Sequence, residues 1–383
     1  MLASYACNPN NSRGRLYKET SELEFISSFE LDRTRIIEST AFRRLEHKTQ
    51  VFISSKGDHY RNRLTHSIEA AQIARIICKA LNLSSDLAEN LTLAHDIGHT
   101  PFGHAGEAAL SEMLGSYNLS FDHNSHAIKL LTEIEQKHPF FKGLNLTWEF
   151  LSGIAKHNGP ILNPSQTNSD YSKKHDLELE KYPSLEAQVS SISDDIAYNN
   201  HDIDDGFRAG IITINDLKSI NLLKKTIEQV SREFPNAEDY KIIHESVQRI
   251  KNQMIIDAIN TTKHNLKSYS IHTCDDVYNS NRPIVQFSDS MERYHQEIKS
   301  FLKSNFYYHS SVIEMTNKAK NIIRFLFSFY MENTRSLPAS WQENLTNTSE
   351  KEKAIIISDY IACMSDRYAT SYIPNNLGTS FDY

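Results

Sequence analysis

The chain has 383 residues, 39% of them hydrophobic and 23% charged, with a formal net charge of -7 and a mean hydropathy of -0.50. No apolar run approaches the ~20 residues that span a bilayer, and the acidic balance disfavours a protein whose main task is to coat nucleic acid. The start, MLASYACNPNNSRGRLYKET, has no basic segment leading into an apolar one, and Cys7, Cys78, Cys274 and Cys363 form no CxxC pair or disulfide framework, which fits a reducing cytoplasm.

With only 12 glycines and apolar residues recurring at steps of three and four, the sequence predicts an all-α fold. At about 100–200 residues per domain, the length allows two lobes or one elongated helical domain. Early in the chain, Arg33, Arg35, Arg43, Arg44, Lys48, Lys56, Arg61 and Arg63 face only Asp32, Glu38, Glu46 and Asp58, a local basic field suited to a small polyanion. Arg43 and Arg44 lie on an expected helix, where pairing with Glu38 and Glu46 competes with a phosphate-binding role. Along residues 66–81, His66, Ala70, Ile73, Ile77 and Leu81 share one face, so His66 points inward. The next helix is expected to be capped by Asp86 with Glu89 three residues on, to run along Leu87, Leu91 and His95, and to stop near Gly98.

A third helix is expected after Gly103, carrying His104 and Glu107 at i and i+3. Further helices are expected at 124–136, 146–157 and 185–202. The polar, proline-containing stretch 158–184 reads as a loop or flap. Two long helices fill 213–268, 269–288 is less regular, and helices resume over 289–333 and 349–368. We divide the chain into a core at 1–212 and a helical region at 213–383 that packs on the core and offers apolar faces to neighbouring subunits.

The chemistry concentrates in LAHDIGHTPFGHAG, residues 93–106, where His95 and Asp96 adjoin and His99 and His104 follow. Placing His66, His95, Asp96 and one of Asp194 or Asp195 on inward faces costs too much unless they neutralise one another or share a cation. Two imidazoles and two carboxylates suit Mn²⁺, Mg²⁺, Fe²⁺, Ni²⁺ or Zn²⁺ and leave positions open for water and a phosphate oxygen.

The arrangement resembles the HD-domain metal phosphohydrolases. The runs SRGRLYKE, DRTRIIESTAFRRLEHKTQVF, GDHYRNRLTHSIEAAQIAR, LAHDIGHTPFGHAGE, FDHNSHA, GLNLTWEFLSGIAKHNGP, LEAQVSSISDDIAYNNHDIDDGFRAGI and DYIACMSDRYA are more closely similar to the deoxyguanosinetriphosphate triphosphohydrolase family. This resemblance implies an HD-domain fold with a helical extension, and a metal held by His66, His95, Asp96 and Asp194. Asp194 is preferred over Asp195 because Tyr198 and Asp202 follow it at four and eight residues. It implies a catalytic pair of His104 and Glu107, and a further active-site histidine, His123. Arg63 is placed beside phosphate, while Gln50, Tyr198 and Asp202 are placed at the sugar, where a tyrosine against C2′ rejects a ribose hydroxyl. His99 is left between a contact and a structural role.

The implied activity is hydrolysis of dGTP or other deoxynucleoside triphosphates to deoxynucleoside and triphosphate, in a homotetramer or homohexamer, with a deoxynucleotide as candidate activator. The alternatives are a nucleotidase or phosphodiesterase of the same superfamily, and a weakly catalytic deoxynucleotide sensor or single-strand nucleic-acid binder. Asp366 and Arg367 are expected to form an ion pair that locks the last helix. Relatives commonly carry an arginine at the position of Tyr308, so Lys303 or another residue would have to take over any grip it provides.

Overall fold

The computed structural model describes residues 1–19, 25–51 and 60–372. Lys56 and Asp58 of the basic stretch therefore lie outside the described residues. Among those described, the chain is helical, with only isolated bridges of Arg15 to Thr147, Thr49 to Asn62 and Gln136 to Gly143. None of the described helices is long and apolar enough to cross a membrane.

Three helices position the site: Arg63–Leu81, Ser85–Ala94 and Leu185–Arg208, each packed on the other two. Their apolar stripes explain the packing. Ala70, Ile73, Ala74, Ile77 and Leu81 enter one core, while Leu87 and Leu91 enter a second with Phe150 and Ile154. Fully burying a Leu, Ile or Phe side chain contributes roughly 1.5–3 kcal/mol. The first core continues without interruption through Ile196, Leu223, Ile250, Ile323 and Ile357, so the later helices share apolar surface with the earlier ones.

The expected helices at 66–81, 146–157 and 185–202 correspond to Arg63–Leu81, Trp148–Ala155 and the longer Leu185–Arg208. The expected cap at Asp86 is corrected to Ser84, whose extended backbone lets its hydroxyl accept from Leu87 N at 3.4 Å. That helix ends at Ala94, ahead of the expected stop near Gly98, and His95 is its C-cap. The 158–184 stretch contains a short helix, Gln166–Ser172, and 213–268 contains Asn221–Glu233 and Asp239–Ser268 preceded by a single turn, Ile214–Leu217.

Two details hold the HD turn in place. A Cβ on Gly98 would lie 2.0 Å from His123 O and 2.6 Å from Ala127 N, so glycine there lets the His123–Lys129 helix approach the turn closely. Asp366 accepts from Thr49 N and Phe102 N, each at 2.8 Å, and from the Thr49 hydroxyl. It thus ties the Asp366–Ser371 helix to the segments at Thr49 and Phe102 through hydrogen bonds, in place of the expected ion pair with Arg367.

Candidate active site

The N-terminus of Arg63–Leu81 and the C-terminus of Ser85–Ala94 converge on the middle of Leu185–Arg208. His66 is 0% exposed, and His95 and Asp96 are each 4% exposed. One carboxylate oxygen joins the histidines: Asp194 Oδ1 lies 2.8 Å from His66 Nε2 and 3.3 Å from His95 Nε2. Asp96 Oδ1 is 3.5 Å from His95 Nε2, and its Oδ2 is 2.7 Å from Arg63 Nη1. Burial opposes ionisation of Asp96, but the Arg63 guanidinium, His95 and His99 hold it well below the usual carboxylate range. Asp194 is held low against the same opposition by His95, His157 and His66. Burial also lowers the affinity of His95 for a proton, yet Asp96 and Asp194 outweigh it and push its pKa up to about 9.

This set fits a divalent cation. Donor atoms of His66, His95 and Asp96 lie within 4.8 Å of one another. His95 Nε2 is buried with no hydrogen-bond partner, while its Nδ1 donates to Thr92 O at 2.6 Å, so a cation that displaces the Nε2 proton would take that nitrogen as its ligand. Neighbouring carboxylates and bare imidazole nitrogens form an N/O site whose charge a 2+ ion neutralises.

Across the cavity, His104 and Glu107 sit in the first turns of Gly103–Gly115. His104 Nδ1 is 3.2 Å from Glu107 Oε2, and Glu107 Oε1 is 2.9 Å from His123 Nδ1 and 3.0 Å from His123 N. Burial would raise the Glu107 pKa, but hydrogen bonds from His104 and His123 hold it far below the usual range. His104 keeps 70% of its side chain exposed, free to meet a ligand. His99 is buried against both halves: its Nε2 is 3.2 Å from Asp96 Oδ1, its ring stacks on His123 at 3.9 Å, and its carbonyl accepts from Lys48 Nζ.

A cavity of about 200 Å³ is lined by Gln50, Arg63, His95, Asp96, His99, His104, His123, Asp194 and Tyr198 together with His157 and Asn158. Of the expected sugar contacts, Gln50 and Tyr198 line it. Asp202 lies one turn deeper, accepts from the Tyr307 hydroxyl, and is raised by burial to about 8. Asp195 turns away to Lys299 Nζ at 2.8 Å. Arg63 is buried against Asp96 and makes no surface ion pair. No ion pair joins Arg43 or Arg44 to Glu38 or Glu46 among the described residues, and Arg44 lines a separate cavity with Lys129, Asp359 and Tyr360.

Sequence reasoning missed three residues. His157 stacks on His95 with centroids 5.3 Å apart, and its Nε2 lies 3.7 Å from Asp194 Oδ2. Its signal was a histidine at the end of an apolar helix in GIAKHNGP. Tyr307 reaches Asp202 and Tyr198, whereas the neighbouring Tyr308 is 61% exposed. His201 contacts His66 from behind.

Residues 63–199 match the HD domain, and residues 285–373 match the phosphohydrolase-associated domain. Deoxyguanosinetriphosphate triphosphohydrolase-like proteins are similar over nearly the whole chain. That of Bartonella henselae is 44% identical over 96% of this chain and 93% of its own. That of Rickettsia rickettsii is 43% identical over 100% and 99%, and that of Rickettsia prowazekii 45% over 96% of each. Helical fold, convergent histidines and carboxylates, and full-length similarity agree: the chain is a phosphohydrolase of the HD-domain class and belongs to the deoxyguanosinetriphosphate triphosphohydrolase-like family.

Proposed function

We propose that the protein hydrolyses deoxynucleoside triphosphates at the α-phosphorus, releasing deoxynucleoside and intact triphosphate. The observation that carries this reading is the joining of two sets of groups at one cavity: His95, Asp96 and Asp194 with His66 behind them on one side, and His104 and His123 held by Glu107 on the other. The first set would hold a divalent ion, Mn²⁺, Mg²⁺, Fe²⁺ or Ni²⁺, which when bound polarises a phosphoryl oxygen as a Lewis acid.

The remaining roles belong to the chain. Glu107 orients both His104 and His123, so each presents its other ring nitrogen to a ligand. The exposed His104 is placed to move a proton at the scissile ester oxygen, and His123 to donate to a phosphate oxygen. Arg63 is fixed by Asp96 and adds positive charge at the phosphate end. Gln50 and Tyr198, with Asp202 behind them, form the sugar end. Tyr198 packed against C2′ leaves no room for a ribose hydroxyl.

The test is a panel of the four dNTPs with purified protein and Mn²⁺, with products separated by ion-exchange chromatography. Triphosphate and deoxynucleoside from at least one substrate support the reading. Orthophosphate alone would reassign the protein to another phosphohydrolase reaction.

A further inference from the structure

Behind the His66 ring, a second imidazole completes a chain of contacts that the proposed reaction does not use. His201 stands seven residues after Asp194 on Leu185–Arg208, two turns on and therefore on the same face. It is 5% exposed, and its Nδ1 lies 3.2 Å from His66 Nδ1 with the rings edge to face. Its Nε2 meets the carboxylate of Glu69, which is one turn after His66 on Arg63–Leu81. Arg61 Nε is 3.4 Å from Glu69 Oε2, and Arg61 Nη1 is itself held by Asp204 at 3.0 Å and Asp205 at 2.7 Å.

Hydrogen-bond roles along this chain are fixed from its outer end. An ionised carboxylate only accepts, so His201 Nε2 carries the hydrogen. In a neutral His201, Nδ1 is then the lone-pair nitrogen, and across the 3.2 Å contact it accepts from His66 Nδ1–H. A cation held between His66 Nε2 and Asp194 Oδ1, which are 2.8 Å apart and hydrogen-bonded in its absence, would then find Nε2 as the bare nitrogen. A metal-ligating histidine needs this arrangement, with one nitrogen bare toward the ion and the other held by an acceptor. His95 meets the same need with a backbone carbonyl, Thr92 O. His66, inside a helix, meets it with a second side chain.

We propose that His201, anchored by Glu69, is a positioning residue that sets the His66 tautomer for metal binding. The inference rests on the reading of His66 as a metal ligand, and the experiment separates the two. Mn²⁺ affinity of the full chain is measured by chelator competition for wild type, His66→Ala, His201→Leu, His201→Asn and Glu69→Ala, with far-UV circular dichroism on each. If wild type and His66→Ala bind Mn²⁺ alike, the metal reading of His66 fails.

If wild type binds and His66→Ala does not, His201→Leu is expected to lose about 10–100-fold in affinity. His201→Asn, whose amide oxygen can accept near the Nδ1 position, restores most of it. Glu69→Ala, at a half-exposed side chain that leaves no core cavity, gives an intermediate loss and decides the matter if His201→Leu does not fold. Nitrogen NMR of ¹⁵N-histidine-labelled protein loaded with Mg²⁺, a diamagnetic ion, is expected to show the hydrogen of His66 on Nδ1, with a resonance that shifts in His201→Leu. Wild-type affinity in His201→Leu or in Glu69→Ala, or a His66 Nδ1–H resonance unchanged in His201→Leu, overturns the proposal.

Discussion

On one wall of the cavity, His66, His95 and Asp96 are 0–4% exposed, and Asp194 Oδ1 is shared between two imidazoles. On the opposite wall, His104 keeps 70% of its side chain exposed, and Glu107 is matched by two histidines of its own. The first wall sets Asp96 and Asp194 among buried imidazoles and the Arg63 guanidinium and leaves His95 Nε2 without a hydrogen-bond partner. The second is internally satisfied and open. In the proposed reaction the difference separates two tasks: the buried wall would capture a cation, and the open wall would meet a ligand and exchange protons with it. His99, touching Asp96 on one side and stacked on His123 on the other, fixes the spacing between them.

Variants on either wall break this comparison in different ways. The largest effect is expected from His95→Ala, which removes a cation donor: Mn²⁺ binding by equilibrium dialysis and dNTP hydrolysis fall together to background. Retained activity in that variant would remove the buried wall from the chemistry. Glu107→Ala, on the open wall, is expected to lower kcat by about 10²–10⁴-fold while leaving Mn²⁺ affinity at the wild-type value. A parallel loss of both would merge the two walls into one task.

Further out, Asp366→Ala leaves Thr49 N and Phe102 N without their acceptor, at about 1–3 kcal/mol for each buried group. Urea unfolding reads that loss, and an unchanged midpoint would show that the tie does not hold the last helix. The last variant concerns pH. Burial raises Asp202 from 3.8 to about 8, so the folded protein keeps a proton that the unfolded chain releases. Its stability contribution is complete below the unfolded value and is lost as pH rises through the folded one. The unfolding free energy of wild type minus that of Asp202→Asn is therefore expected to fall between about pH 4 and about pH 8. A flat difference would show that Asp202 is ionised in the folded state.

The inward face of His66 was legible because Ala70, Ile73 and Ile77 repeat with it at helical spacing. The turn that carries His95 and Asp96 was legible in part, since its helix stops at Ala94 earlier than Gly98 suggested. Ser84 and Asp86 both have cap chemistry, and only the backbone conformation at Ser84 decides between them. His157 could not be found by periodicity, because it lies in the turn beyond Trp148–Ala155, whereas His201 stands at i+7 from Asp194 on the same helix face and reads locally as an ordinary core residue. Tyr307 was hidden for a sharper reason. The Lys303–Tyr307 turn is a π-helix, whose wider turn departs from α-helical spacing, and Tyr308 drew attention only because relatives commonly carry an arginine there, although it is the exposed neighbour.

The central claim is attack by water at the α-phosphorus by the two walls acting together. The most direct test is to hydrolyse a dNTP in ¹⁸O-labelled water with Mn²⁺ and weigh both products by mass spectrometry. Attack at phosphorus is expected to place one ¹⁸O in the released triphosphate and none in the deoxynucleoside, because the bond that breaks joins the α-phosphorus to the ester oxygen. Label in the deoxynucleoside, or labelled orthophosphate or pyrophosphate in place of triphosphate, would contradict it.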